Sequence, residues 1–246
     1  MKGIWNMNKK ILYLIIPVLI LVALLFGTGR FGTLNSPDTV ETQQSVETDA
    51  QSETETQNAY DYMVFVNKQN KLPDDWEEKV VLKEAVNKYG ETKLVEEKAL
   101  EQFLKLQEKV AEEGIDMQLD STYRSVQEQQ ELWDEWTIEY GEDYVKTYVA
   151  VPGCSEHHTG LAIDVCLDID GRRVDDNDEM IAKKEIFEKI WAHLADYGFI
   201  LRYPEGKEDI TGYGFEPWHF RYIDDVDIAK EIMEKGITLE EYLNRQ

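Results

Sequence analysis

The stretch Ser155-Glu156-His157-His158-Thr159-Gly160-Leu161-Ala162-Ile163-Asp164 sets two histidines and an aspartate around a glycine and then enters an alternating segment. Across residues 161–167 apolar and polar side chains alternate as in a half-buried strand, so Ala162 and Asp164 share a face with Gly160. Small Gly160 and Ala162 leave room beside Asp164 for a metal and a substrate. A second cluster, Glu216-Pro217-Trp218-His219, leads into another candidate strand at 218–223. Pro217 bars a regular helix there and favours an extended turn. A hydrolytic zinc takes three protein ligands and keeps a fourth position for water. His157, Asp164 and His219 supply such a set, and Glu216 is close enough in sequence to His219 to act on the water. The chain has four histidines, and three fall in these two clusters.

Outward from these clusters the pattern is mixed. Ala99, Leu100, Phe103, Leu106 and Val110 recur at helical spacing over 96–110. Ser125 suits the cap of a helix through Leu132, Trp133 and Trp136. Phe187, Ile190, Trp191 and Leu194 make a further stripe over 184–197, and Ile228, Ile232 and Met233 a last one that stops near Gly236. Another short strand is expected at 199–203. Helices and short strands are grouped, without strict alternation. The fold class expected is α+β, a small, mainly antiparallel sheet with packed helices.

At the N-terminus, Lys2, Lys9 and Lys10 precede an uncharged apolar run at 11–26. Basic residues before such a run keep the N-terminus cytoplasmic. With no Ala-x-Ala-like cleavage site, an uncleaved signal-anchor in residues 1–30 is favoured over a cleaved signal peptide. Residues 31–58 are rich in Thr, Ser, Gln, Asp and Glu and are expected to form a disordered, self-repelling acidic tether. The globular domain is then 59–246, outside the membrane. The net charge of −24 argues against nucleic acid as a partner, because phosphate binding relies on Lys and Arg. Cys154 and Cys166 bracket the first cluster. A disulfide between them is expected if that cluster forms a hairpin outside the membrane; two buried free thiols are the other reading.

In these residues the chain resembles the zinc D-Ala-D-Ala carboxypeptidases of the VanY type, within the larger D-alanyl-D-alanine metallopeptidase family. The family pattern Ser-x-His-x-x-Gly-x-Ala-x-Asp, followed by Glu-x-x-His, is met by Ser155, His157, Gly160, Ala162, Asp164, Glu216 and His219. An upstream Tyr-Arg-Ser-x-x-x-Gln element is met by Tyr123, Arg124, Ser125 and Gln129. Softer matches include Val66-Asn67-Lys68 and Arg202-Tyr203, so the similarity runs from about Val64 to Tyr222. The resemblance implies zinc on His157, Asp164 and His219, with Glu216 as general base. It implies that Arg124 binds a substrate carboxylate or the oxyanion, and that Ser155, Gln129, Tyr123 and Ser125 line the site and bind the substrate. The implied substrate is the peptidoglycan stem peptide, cut at its C-terminal D-residue; an L,D-carboxypeptidase or a non-catalytic wall-binding module are the rivals. Many relatives have Gln where this chain has His158, which is read as a neighbour of the ligands or a solvent-facing residue. His193, on a helix, is read as structural.

Overall fold

Glu96 closes a hairpin and opens a helix, and that junction organises the first half of the domain. In the computed structural model, which describes residues 60–244, β1 (Leu82–Val86) and β2 (Thr92–Glu96) pair antiparallel. The Glu96 carboxylate then accepts the Ala99 N–H at 2.9 Å, capping α1 (Glu97–Ala111). Helix α1 buries the stripe expected of it: Ala99, Leu100, Phe103, Leu106 and Val110. After β3 (Asp116–Leu119), Ser125 and Glu128 form a reciprocal capping box that starts α2 (Val126–Tyr140), followed by α3 (Glu142–Tyr148). The chain continues through β4 (Ala162–Ile169), β5 (Arg172–Val174), α4 (Asn177–Ala182) and α5 (Lys184–Leu194). It ends with β6 (Phe199–Leu201), α6 (Glu208–Thr211), β7 (His219–Tyr222), α7 (Val226–Lys235) and α8 (Leu239–Leu243).

The larger sheet has the order β3-β4-β7-β6, with β5 also on β4, and every pairing in it is antiparallel. This is the α+β arrangement expected. Long β4 pairs with β7 through Ala162, Ile163 and Asp164, and with β3 through its later residues. Strand β6 shows how the layers divide: Phe199 and Leu201 enter the main core with α1 and α5, while Ile200 faces the smaller cluster built by α7 and α8. The hairpin of β1 and β2, and strands β3 and β5, were not foreseen. In β1 exposed, charged residues obscure the period of two, as in Leu82-Lys83-Glu84-Ala85-Val86, while β3 and β5 are only four and three residues long.

Two expectations are corrected. Gly160 does not lie on the strand with Asp164: it closes a one-turn 3-10 helix (Glu156–Thr159) in the left-handed region, with φ +68°. A Cβ there would meet Leu82 Cδ2 at 3.1 Å and the Glu96 backbone nitrogen at 3.2 Å. The Gly160 carbonyl accepts that same Glu96 N–H at 3.0 Å. The glycine therefore serves a turn and a close approach to the hairpin, not room for a metal. Gly160→Ala is expected to lose about 1–2 kcal/mol of stability from the left-handed backbone alone, read from the midpoint of urea unfolding; a shift below a few tenths would count against this reading.

The disulfide is the second correction. Cys154 and Cys166 are both buried and free. The turn between them is helical and feeds β4, so the two thiols do not face each other across a hairpin. Cys154 lies near Lys71, and Cys166 near Asp120 and Arg173, where burial pushes its thiol up to about 12. Among the described residues no helix is long and apolar enough to cross a membrane; the expected anchor at 1–30 and tether at 31–58 lie outside the described residues.

Candidate zinc site

Asp164 and His219 are direct cross-strand partners in the β4–β7 ladder, so their side chains stand side by side on one face of the sheet. His157 arrives from the 3-10 turn that precedes β4. The three residues each offer a ligand atom, all within 4.8 Å of one another. His157 Nε2 lies 3.3 Å from Asp164 Oδ2, and His219 Nδ1 lies 2.8 Å from Asp164 Oδ1. Ligands held about 2 Å from a tetrahedral zinc sit roughly 3.3 Å apart, so the spacing suits that ion. Asp164 Oδ1 provides the test: it is buried without a satisfying hydrogen bond, 2.8 Å from His219 Nδ1, as suits an oxygen left for a cation. The donor set fits zinc.

The outer nitrogens decide which histidine faces the metal. His157 Nδ1 donates to the Thr122 carbonyl at 2.7 Å, leaving Nε2 with a free lone pair toward Asp164. Both nitrogens of buried His158 are committed elsewhere. Its Nε2 accepts the Gly153 N–H at 3.1 Å, so Nδ1 carries the proton that goes to the Arg124 carbonyl at 2.6 Å. His158 thus braces the backbone of Arg124 and is not solvent-facing. His193 lies away from the site, on α5, with Nε2 2.6 Å from Glu113 Oε1.

Glu216 sits at the turn before β7, where the His219 N–H reaches back to the Glu216 carbonyl at 3.3 Å. Its Oε2 is 3.6 Å from His219 Nδ1, and about a quarter of its side chain (28%) opens to the cavity. Burial, with Asp164 and Glu156 adding like charge against the pull of His219, pushes its carboxyl up to about 7. Such a value suits a proton acceptor working near neutrality. Burial also disfavours charge on His219, but Asp164, Glu156 and Glu216 outweigh it and raise the imidazole to about 10. The metal-free His219 therefore holds a proton that a metal must displace. Zinc affinity is expected to rise by about tenfold per pH unit between pH 6 and 8, as one proton leaves per zinc bound. Chelator competition across that range checks it; a flat dependence would refute the proton displacement.

A cavity of about 340 Å³ opens over these groups. Arg124, Gln129, Ser155, Trp136, Tyr144, Tyr203 and Tyr213 contribute to its walls. Arg124 is brought in by the segment after β3, where its N–H donates to the His157 carbonyl at 3.2 Å. Its guanidinium donates to Gln129 Oε1 at 2.8 Å and Ser121 Oγ at 2.9 Å, leaving further N–H groups for a ligand. Gln129, whose Nε2 goes to the Ala150 carbonyl, holds Arg124 in place. Ser155 caps the 3-10 turn through the His157 N–H. Two residues expected in the substrate site fall outside the cavity lining. Tyr123 lines the groove behind Arg124, with its hydroxyl 3.4 Å from Glu77, and Ser125 is occupied in capping α2.

Sequence reasoning missed the charges behind His219. Glu156, Arg202, Arg221 and Glu240 are all buried, the two arginines completely. Glu156 accepts from Arg202 Nε at 2.7 Å and from Arg221 Nη1 at 2.9 Å. Arg202 forms a bidentate pair with Glu240 of α8 at 2.8 and 2.6 Å. The available signal was period two on β7, which puts Arg221 on the face of His219.

Comparison with known proteins agrees with this geometry. Residues 92–225 match the family described as VanY, D-alanyl-D-alanine carboxypeptidase. The bifunctional D-Ala-D-Ala dipeptidase and D-Ala-D-Ala carboxypeptidase VanXYC of Enterococcus gallinarum is 42% identical over 134 residues, 52% of this chain and 66% of that protein. A vancomycin resistance D,D-pentapeptidase VanY from a VanB-type cassette, solved with Zn(II), is similar at 31% identity and a TM-score of 0.62, over 74% of this chain and 98% of that one. The LdcB LD-carboxypeptidase is similar at 34% identity and a TM-score of 0.63, over 73% and 84%. With the family match spanning the ligand turn, both ligand strands and the base, the chain belongs to the VanY family of zinc-dependent D-alanyl-D-alanine carboxypeptidases.

Proposed function

We propose that this chain is a membrane-anchored D,D-carboxypeptidase that removes the C-terminal D-Ala from peptidoglycan stem pentapeptides outside the cell membrane. The observation that carries the reading is the convergence of His157, Asp164 and His219 beside Glu216, under a cavity with a guanidinium in its wall. When bound, zinc supplies Lewis acidity and brings the pKa of water toward about 7. Glu216 takes a proton from the attacking water and passes it to the leaving D-Ala amine. Arg124 pairs with the substrate's terminal carboxylate or with the oxygen that gains charge in the transition state. The apolar run at 11–26 and the acidic stretch at 31–58 support an anchor and a tether that hold the domain near wall peptide. Removal of the terminal D-Ala destroys a D-Ala-D-Ala terminus, the target of glycopeptide antibiotics.

The test is to incubate the protein with pentapeptide stem, tetrapeptide stem and free D-Ala-D-Ala, and to weigh the products. Loss of one alanine from the pentapeptide alone is expected. Trimming of the tetrapeptide with the pentapeptide intact would replace this reading with the L,D activity that LdcB is named for. Binding without cleavage of any of the three would leave a wall-binding module.

A further inference from the structure

We propose that Glu156 is a positioning residue that fixes the ring of His219, so that Nδ1 and not Nε2 is presented to the metal. The inference rests on the zinc reading of the site and adds to it a residue outside the ligand set. Glu156 is buried at the first position of the 3-10 turn and uses its two oxygens differently. Oε1 takes both guanidiniums, Arg202 at 2.7 Å and Arg221 at 2.9 Å. Oε2 is left toward His219 Nε2 at 3.4 Å. A carboxylate can accept several donors, and here the arginines pin one oxygen so that the other has a single direction.

The arginines are themselves anchored. Arg202 ends in the fork with Glu240, while Arg221 donates to the Tyr62 and Val64 carbonyls at 3.0 and 2.8 Å and to the Tyr222 carbonyl at 3.0 Å. Tyr203 packs on the imidazole of His219, with ring centroids 4.7 Å apart. The ring is thus held by a tilted aromatic contact and by its Nε2 edge. With Nε2–H directed at Glu156, the lone pair on Nδ1 is left for a metal held between His219, Asp164 and His157. His157 is fixed in the opposite sense, its Nδ1–H on Thr122 and its Nε2 inward. Groups that orient a metal-bound imidazole in this way commonly change affinity by 10–100-fold when removed.

The experiment compares zinc dissociation constants of the full chain by chelator competition, together with thermal unfolding. Glu156→Gln is expected to weaken zinc binding by about 10–100-fold. Glu240→Gln also strips a carboxylate from Arg202 but leaves Glu156 facing His219. It is expected to lower the melting temperature and to keep zinc affinity within about twofold of wild type. Equal zinc affinity in wild type and Glu156→Gln would overturn the proposal while leaving the zinc enzyme intact. A wild-type protein that binds no zinc would overturn both. If Glu156→Gln does not fold, the imidazole N–H of His219 is read by NMR in the zinc-loaded wild type. A downfield resonance, as for an N–H bonded to a carboxylate, supports the proposal; the shift of an N–H without an acceptor overturns it.

Discussion

Glu216→Gln is expected to lower turnover by about 10²-fold or more while zinc content and peptide affinity stay near wild type. The amide keeps the shape and can still hydrogen-bond beside His219, but it cannot take the proton of the attacking water at neutral pH. A loss of that size corresponds to about 2.7 kcal/mol of barrier. The pH profile gives a second readout. The base works only when ionised, so wild-type kcat/KM should rise with pH through the carboxyl's pKa, about 7 in the metal-free site. The charge of bound zinc draws that value lower. The acid limb should vanish in Glu216→Gln. Cleavage by this variant at the wild-type rate, with zinc retained, would assign the base to another residue.

Arg202→Met should be the most destabilising single change considered. The side chain is fully buried between Glu156 and Glu240. Its removal leaves two carboxylates with less compensation in the interior, and breaking one partner of a buried ion pair costs about 3–5 kcal/mol. Against a typical total of about 5–15 kcal/mol, the domain would be near its stability threshold. Denaturant unfolding measures the loss; a change below about 1 kcal/mol would show that water or rearrangement replaces the guanidinium.

The ligand turn and strands were legible because each motif combines a chemical pattern with a local structural one. His157, Asp164, Glu216 and His219 could be named before any contact was known, as could the caps at Ser125 and Gly236. What could not be read was the meaning of residues whose partners are remote in sequence. Glu156 stood inside the motif as an unremarked position, since nothing local says that Arg202, Arg221 and His219 converge on it. Gly160 looked like space for a metal, whereas its backbone angle and its approach to Glu96 are properties of the folded chain. Tyr123 and Ser125 were drawn toward the substrate by their neighbour Arg124, but adjacent residues need not face one cavity. The paired cysteines misled for the same reason: bracketing a motif in sequence does not make two side chains meet.

The direct pairing of Asp164 with His219 has a consequence for the order in which the protein is made. A ribosome releases His157 and Asp164 well before His219, so the nascent chain can display part of the zinc site without being able to complete it. Glu156 emerges with them, and its carboxylate must stay hydrated until Arg202 and then Arg221 follow. Glu240, which forks Arg202, follows later still. Zinc capture therefore waits for β7, and a chain halted before it would have Arg202 but neither the third ligand nor Arg221, the second cation against which Glu156 is buried.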